Sequence, residues 1–326
     1  MSQHKVFVTR ELPAPALDRL ARHCELDVWD DFLPPDYAIL LQKAQSLSGL
    51  LCLLTDRIDA RLLAAAPHLK VVSNMAVGYD NIDVAAASAR GIPVGNTPGV
   101  LTETTADFAF ALLMATARRI PEAQRYIHAG RWQTWHPTVL SGRDIHGACL
   151  GIIGFGRIGQ AVARRAAGFG MRILTHSRSD REHSRAAGAE PCELDDLLEQ
   201  SDFVSLHLPL THETRQFIGA RELALMKPTA ILINTARGGV VDQTALYEAL
   251  RDKAILAAGL DVTDPEPIPL SSPLLTLENC LVLPHIASAS VATRAKMAQM
   301  AVDNCLAGLR GERLPTCVNA EVYSKR

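Results

Sequence analysis

The glycine hexad Gly154-Phe155-Gly156-Arg157-Ile158-Gly159 limits the fold more than any other stretch of the chain. It follows an apolar run, residues 150–153, that reads as a strand, and it opens residues 158–169, which read as a helix. Each glycine has a separate physical use. Gly154 permits the tight turn, Gly156 lets a pyrophosphate approach the backbone, and Gly159 lets the helix pack close to the strand. The helix N-terminus then offers free N–H groups to phosphate oxygens. A hexad of this kind between a strand and a helix points to a dinucleotide.

The surrounding pattern extends that unit. Short apolar runs alternate with longer helical stretches, which is the signature of parallel α/β architecture. Residues 150–153, 171–175, 203–207, 230–234, 256–260 and 281–283 read as six strands of one doubly wound unit. Upstream, residues 5–9, 26–29, 50–54, 70–73 and 92–94 read as strands, with helices over 15–23 and 60–66. A helix with Thr102 as N-cap is expected to run to about Arg119, before Pro121. Residues 130–147, rich in Trp, His and Gly, read as a looser stretch. The helix expected over 291–309 lies beyond the last strand and is expected to fold back onto the first region. The division that follows is a discontinuous substrate-binding domain, 1–100 with 290–326, around a dinucleotide-binding domain, 101–289. A length of 326 residues suits two such domains.

Composition narrows the function. A formal net charge of -2 carries no basic excess for nucleic acid. The strongest apolar run, residues 108–117, is too short to span a bilayer, and the first nine residues lack a signal-peptide pattern. No membrane partner and a cytoplasmic location are expected. The seven scattered cysteines form no C-x-x-C pair and read as reduced thiols. No two histidines stand at zinc-motif spacing beside a carboxylate, so no metal site is expected.

The end of the second strand of the unit selects between nicotinamide cofactors. An acid there binds the ribose 2′-hydroxyl of NAD. This chain reads Thr175-His176-Ser177-Arg178-Ser179, with Arg181 close behind. Arg178 suits a 2′-phosphate, with Ser177 and Ser179 as hydrogen-bond donors and Arg181 as added charge. NADP(H) is therefore the expected preference, with NAD(H) as second candidate. The competing reading makes Arg178 a solvated surface residue.

In open α/β sheets ligands bind beyond the carboxyl ends of the strands. Arg237, Asp261, Glu266 and His285 all follow such ends. Reduction of a 2-oxo acid needs a hydride donor, a proton donor and a cation. Arg237 can supply the cation, His285 the proton, and Glu266 a hydrogen bond that favours the charged imidazole. Asp261 is a candidate for the nicotinamide carboxamide. Taken singly, an arginine here can be an ion-pair residue and a histidine a satisfied core group.

These residues carry a resemblance over essentially the full chain. Val77-Gly78-Tyr79-Asp80-Asn81-Ile82-Asp83, the glycine hexad, Met226-Lys227-Pro228 leading to Asn234-Thr235-Ala236-Arg237-Gly238, Leu260-Asp261-Val262 with Glu266-Pro267, and Pro284-His285-Ile286-Ala287-Ser288 resemble the D-isomer-specific 2-hydroxyacid dehydrogenases. Residues 259–267, 272–277 and 306–312 are most similar to the glyoxylate/hydroxypyruvate reductases of that family. The resemblance implies an α/β fold of two doubly wound parallel-sheet domains, a Rossmann-type cofactor domain and a flavodoxin-like substrate domain. It implies Arg237, Glu266 and His285 as catalytic residues. Val77 and Gly78 would hold the substrate carboxylate through N–H groups, and Ser288 would lie near the substrate. Gly156, Arg157 and Ile158 would touch the pyrophosphate. Pro209, Thr235, Asp261 and Ala287 would touch the cofactor, although many relatives have Gly where Ala287 stands. The implied activity is NADPH-dependent reduction of glyoxylate and hydroxypyruvate. Reduction of another 2-oxo acid, such as 2-ketogluconate or phenylpyruvate, remains the nearest rival, and a nicotinamide-sensing protein the more distant one. The loops around Leu53, Leu54 and Trp135 are the candidates that set substrate size. A homodimer is implied, in which Trp135 either packs at the interface or reaches the partner's pocket.

Overall fold

The computed structural model describes residues 4–178 and 181–324, without the side chains of residues 181, 183 and 186. Ser179 and the Arg181 side chain, both expected at the cofactor, lie outside the described residues. The chain divides into two compact units, Met1–Leu101 with Ala289–Arg326, and Thr102–Ser288.

The first unit holds five parallel strands: β1 (Lys5–Val8), β2 (Glu25–Val28), β3 (Gly49–Cys52), β4 (Val71–Asn74) and β5 (Val94–Gly95). Their order is β2-β1-β3-β4-β5, the flavodoxin-like winding. Side chains alternate between the faces of a strand. Phe7, Leu50, Cys52 and Val72 therefore share one core with Leu40, Leu62, Leu63 and Ala87 from the helices Tyr37–Ala44, Ala60–Ala64 and Val84–Ala89. The other face meets the helix Val291–Leu309. Ser73 Oγ donates to the Ala301 carbonyl over 2.7 Å, and a Cβ on Gly308 would lie 2.4 Å from Val71 Cβ. Burial on both faces explains why β3 and β4 read as unbroken buried runs rather than alternating ones. Three side-chain caps start these helices: Asp59 accepts from Leu62 N, Asp83 from Ala86 N and Ser290 from Thr293 N.

The second unit holds seven parallel strands: β6 (Cys149–Ile153), β7 (Arg172–His176), β8 (Glu190–Pro191), β9 (Phe203–Leu206), β10 (Ile231–Asn234), β11 (Ala257–Leu260) and β12 (Cys280–Val282). The order is β12-β11-β10-β9-β6-β7-β8. Winding runs outward from β6 to β8, returns beside β6 with β9, and then runs the other way. That is the doubly wound dinucleotide-binding order with one further strand, and its switch point lies between β6 and β9. Leu197, Leu198, Val204, Leu232 and Leu246 fill one side. Ala106, Leu113, Ile152, Ala161 and Ile233 fill the other, where the helix Thr102–Ala117 packs.

Several boundaries differ from the sequence expectation. Seven strands replace six, because the two-residue edge strand β8 carries no apolar run. Thr102 is the first helical residue rather than the cap, and that helix stops at Ala117. Arg119 then takes a left-handed conformation, φ 53°, and a new helix, Ile120–His128, begins with Pro121 in its first turn. Proline is favoured there because its missing N–H would have had no intrahelical partner.

Candidate active site

The hexad sits at the switch point of the second unit. Gly154 has φ +92° and donates its N–H to the His176 carbonyl over 2.9 Å, and a Cβ there would lie 2.6 Å from the His207 carbonyl oxygen. Gly159 is closer still, since its Cβ would lie 2.3 Å from the Gly154 carbonyl oxygen. Gly156 differs from both. It precedes the twelve-residue helix Arg157–Gly168, and a Cβ there would meet nothing within 4 Å. Open space before a helix N-terminus is the cradle a pyrophosphate needs. Thr235, at the end of β10, is 8% exposed, and its hydroxyl has no partner among the described residues. An open cradle and an orphaned hydroxyl both fit a bound dinucleotide. Arg157 is exposed, and Ile158 is half-buried behind it.

Beyond β7, Ser177 is half-buried and Arg178 is exposed. The Glu213 carboxyl is held below the ordinary carboxylate range, first by Thr211 Oγ1 donating over 2.6 Å and more weakly by the charges of His212 and Arg178. Arg178 therefore has an acid in its neighbourhood. Pro209 is exposed, and its carbonyl accepts from Thr214 Oγ1 over 2.6 Å.

The ends of β10, β11 and β12, which are neighbours in the sheet, carry the chemical groups. His285 Nδ1 and Glu266 Oε2 are 2.9 Å apart. Glu266 Oε1 accepts from Thr263 N over 3.0 Å. The carboxylate is thus held at both oxygens, and Nε2 is the ring nitrogen left for proton transfer. His285 itself has φ +56°, an uncommon conformation for a residue with a side chain. Asp261 holds it there. His285 N donates to the Asp261 carbonyl over 2.9 Å, while Ile286 N and Ala287 N donate to Asp261 Oδ1 and Oδ2 over 2.8 and 2.7 Å. Asp261 is 1% exposed, and burial raises its pKa against the opposing effect of those two N–H groups. Asp261, the candidate for the nicotinamide carboxamide, thus also holds the His285 loop through both carboxylate oxygens. Ala287 is buried beside it and Ser288 is half-buried.

Arg237 is half-buried and its Nη1 donates to the Ala236 carbonyl over 2.9 Å. Asn234 sets its backbone, donating from Nδ2 to the Arg237 carbonyl over 2.9 Å and accepting from Ala236 N over 3.0 Å. A Cβ on Gly238 would lie 2.0 Å from Thr263 C and O, so the Arg237 segment presses against the loop that leads to Glu266. Neither Asn234 nor Gly238 was singled out from sequence for this role. An Asn closing a strand before Gly-Gly is the signal that was available.

Val77, Gly78 and Leu54 belong to the first unit, near the carboxyl ends of β3 and β4. All three are half-buried. Among the described residues the N–H groups of Val77 and Gly78 have no acceptor. Trp135 is 80% exposed, and Ile120, Ile127 and Trp132 are more than half exposed. All seven cysteines are free, with burial pushing Cys24 up to about 11 and Cys280 up to about 12. Among the described residues no His, Cys, Asp and Glu group could hold a metal ion, and no helix is long and apolar enough to cross a membrane.

Comparison with known proteins matches residues 110–287 to the NAD binding domain of the D-isomer specific 2-hydroxyacid dehydrogenases. The chain is 55% identical to a glyoxylate reductase of Korarchaeum cryptofilum over 99% of this chain and 98% of the relative. It is 50% identical to one of Aeropyrum pernix over 100% and 99%. Among solved structures, an NADPH-dependent glyoxylate/hydroxypyruvate reductase from Sinorhizobium meliloti, in complex with NADP and malonate, superposes with a TM-score of 0.88 at 36% identity, covering 98% of each chain.

Proposed function

The chain belongs to the D-isomer specific 2-hydroxyacid dehydrogenase family, and from that membership we propose that it reduces glyoxylate and hydroxypyruvate to glycolate and D-glycerate with NADPH in preference to NADH. The observation that carries this reading is the 2.9 Å pair of His285 Nδ1 and Glu266 Oε2 at adjoining strand ends. The names of the similar glyoxylate reductases support the substrate class.

When bound, the dinucleotide supplies the hydride. The N–H groups after Gly156 would hold its pyrophosphate, the Thr235 hydroxyl would take a further contact, and Arg178 with Ser177 would receive the 2′-phosphate. Val77 and Gly78 N–H groups bind the substrate carboxylate. Arg237 polarises the reacting carbonyl by directing its guanidinium at the oxygen where negative charge develops. His285, protonated, gives its Nε2 proton to that oxygen, and Glu266 stabilises the imidazolium before the transfer and orients the ring through Nδ1. Leu54 and Trp135 limit the size of the oxo acid. The exposed Trp132 and Trp135 support a homodimer, which light scattering tests by a particle of twice the chain mass. The free thiols support a reducing, cytoplasmic setting.

Steady-state assay of the purified protein with NADPH and NADH, against glyoxylate, hydroxypyruvate, 2-ketogluconate and phenylpyruvate, tests the proposal. The expected result is the highest kcat/KM with NADPH and the two small acids. Turnover confined to a larger acid moves the substrate, and a clear NADH preference removes the role given to Arg178.

A further inference from the structure

Within the first unit two asparagine amides grip the Val77–Gly78 segment from behind. Asn96 Nδ2 donates to the Val77 carbonyl over 2.9 Å, and Asn74 Nδ2 donates to the Gly78 carbonyl over 2.9 Å. The Val77 carbonyl and the Gly78 N–H belong to one planar peptide group. A donor on that oxygen fixes the direction of the N–H and polarises it, because hydrogen bonds in a chain strengthen one another.

Asn96 is in turn held by the C-terminal segment. Its carbonyl accepts from Asn304 Nδ2 over 3.0 Å and from Thr316 Oγ1 over 2.6 Å, residues 208 and 220 positions away in sequence. Its N–H donates to the Thr316 carbonyl over 3.3 Å. Asn304 and Thr316 brace each other: Thr316 N donates to Asn304 Oδ1 over 3.0 Å, and Asn304 Nδ2 lies 2.8 Å from Thr316 Oγ1. Asn304 is fully buried and lies flat on Gly95, where a Cβ would come within 2.7 Å of Asn304 Cβ. A buried amide bonded to both the Asn96 carbonyl and the Thr316 N–H fixes the two backbone segments against each other.

We infer that Asn304 and Thr316 are positioning residues for the substrate, acting through Asn96 on the Gly78 N–H that receives the carboxylate. The inference rests on the reading of Val77 and Gly78 as the carboxylate loop. It makes the end of the chain part of substrate recognition, although neither Asn304 nor Thr316 touches substrate.

The test uses Thr316→Val, which keeps the side-chain shape and removes the hydroxyl, with Thr316→Ser as the conservative rescue and Asn96→Ala as the direct break. Glyoxylate KM and kcat are measured at saturating NADPH, together with the NADPH Kd by fluorescence. Loss of one positioned hydrogen bond is expected to raise glyoxylate KM about tenfold in Thr316→Val and Asn96→Ala, with kcat and NADPH Kd within about twofold of wild type. Thr316→Ser is expected to return KM to within about twofold. If Asn96→Ala fails to fold, the Thr316 pair carries the test alone. An unchanged KM in Thr316→Val, or a parallel loss of KM, kcat and NADPH affinity that Thr316→Ser shares, overturns the inference and leaves the activity standing. Wild-type protein that neither turns over glyoxylate nor binds oxalate when loaded with NADPH overturns both readings.

Discussion

His285 is held at three points: its backbone N–H on the Asp261 carbonyl, its following residues on the Asp261 carboxylate, and its Nδ1 beside Glu266. Each restraint removes a freedom the imidazole would otherwise have to lose at the moment of reaction. His285→Ala is therefore expected to lower kcat by about 10²- to 10⁴-fold, the range for a lost general acid, with NADPH Kd unchanged. Stopped-flow reduction and a fluorescence titration check the two halves separately, and wild-type turnover would remove His285 from the chemistry. A second histidine bears on stability rather than on the chemistry. His207, with Nε2 2.9 Å from Ser205 Oγ, has its pKa pushed by burial from 6.5 down to about 4. Between those values the unfolded chain binds more protons than the folded one, so stability rises with pH across that window. The contribution is fully present above about pH 6.5, is lost as pH falls towards 4, and amounts to at most about 3 kcal/mol. His207→Gln should flatten the fall in Tm between pH 6.5 and 4, and an unaltered slope would assign that fall to other groups. The candidate residues Arg237, Glu266 and His285 were legible in the sequence because each follows a strand end. Asn234 was not, since an Asn closing a strand reads equally well as a solvated polar residue.

At the scale of elements, the hexad shows glycine used for two different purposes. Gly159 is required by the protein itself, because its Cβ would strike the Gly154 carbonyl oxygen, whereas Gly156 faces open space. Gly159→Ala should then lower stability by about 1–3 kcal/mol through overpacking. Gly156→Ala should leave Tm unchanged and weaken NADPH binding by about tenfold or more, since the methyl occupies the phosphate cradle. Thermal melts paired with cofactor titrations separate them, and a Gly156→Ala variant with wild-type affinity would mean that the pyrophosphate lies elsewhere. Strands were easier to find than helices here. Runs such as 49–52 and 231–233 are wholly buried and apolar, while the helix Val84–Ala89 is six residues of mostly alanine with one buried position, too short to show a period. The helix Ile120–His128 was hidden by Pro121, which marks a helix end as readily as a helix start.

For the whole molecule, the two-unit plan was legible because one apolar run preceded the hexad, five followed it, and a long helix remained after the last of them. What the sequence did not reveal is how tightly that last helix is seated. Its fit depends on small side chains, Gly308 against Val71 and Ala301 against Ser73, and small residues carry almost no periodic signal. The seat also has a consequence in time. The chain leaves the first unit at Leu101 and returns at Ala289, so at ribosomal rates roughly 10 to 40 s of synthesis separates the first sheet from the helix that covers it. Through that interval the face bearing Val6, Leu51 and Val71 waits uncovered, while the second unit is being made. A premature stop before Ala289 would release a finished cofactor unit joined to an open, apolar sheet, the kind of surface that chaperones capture and proteases remove.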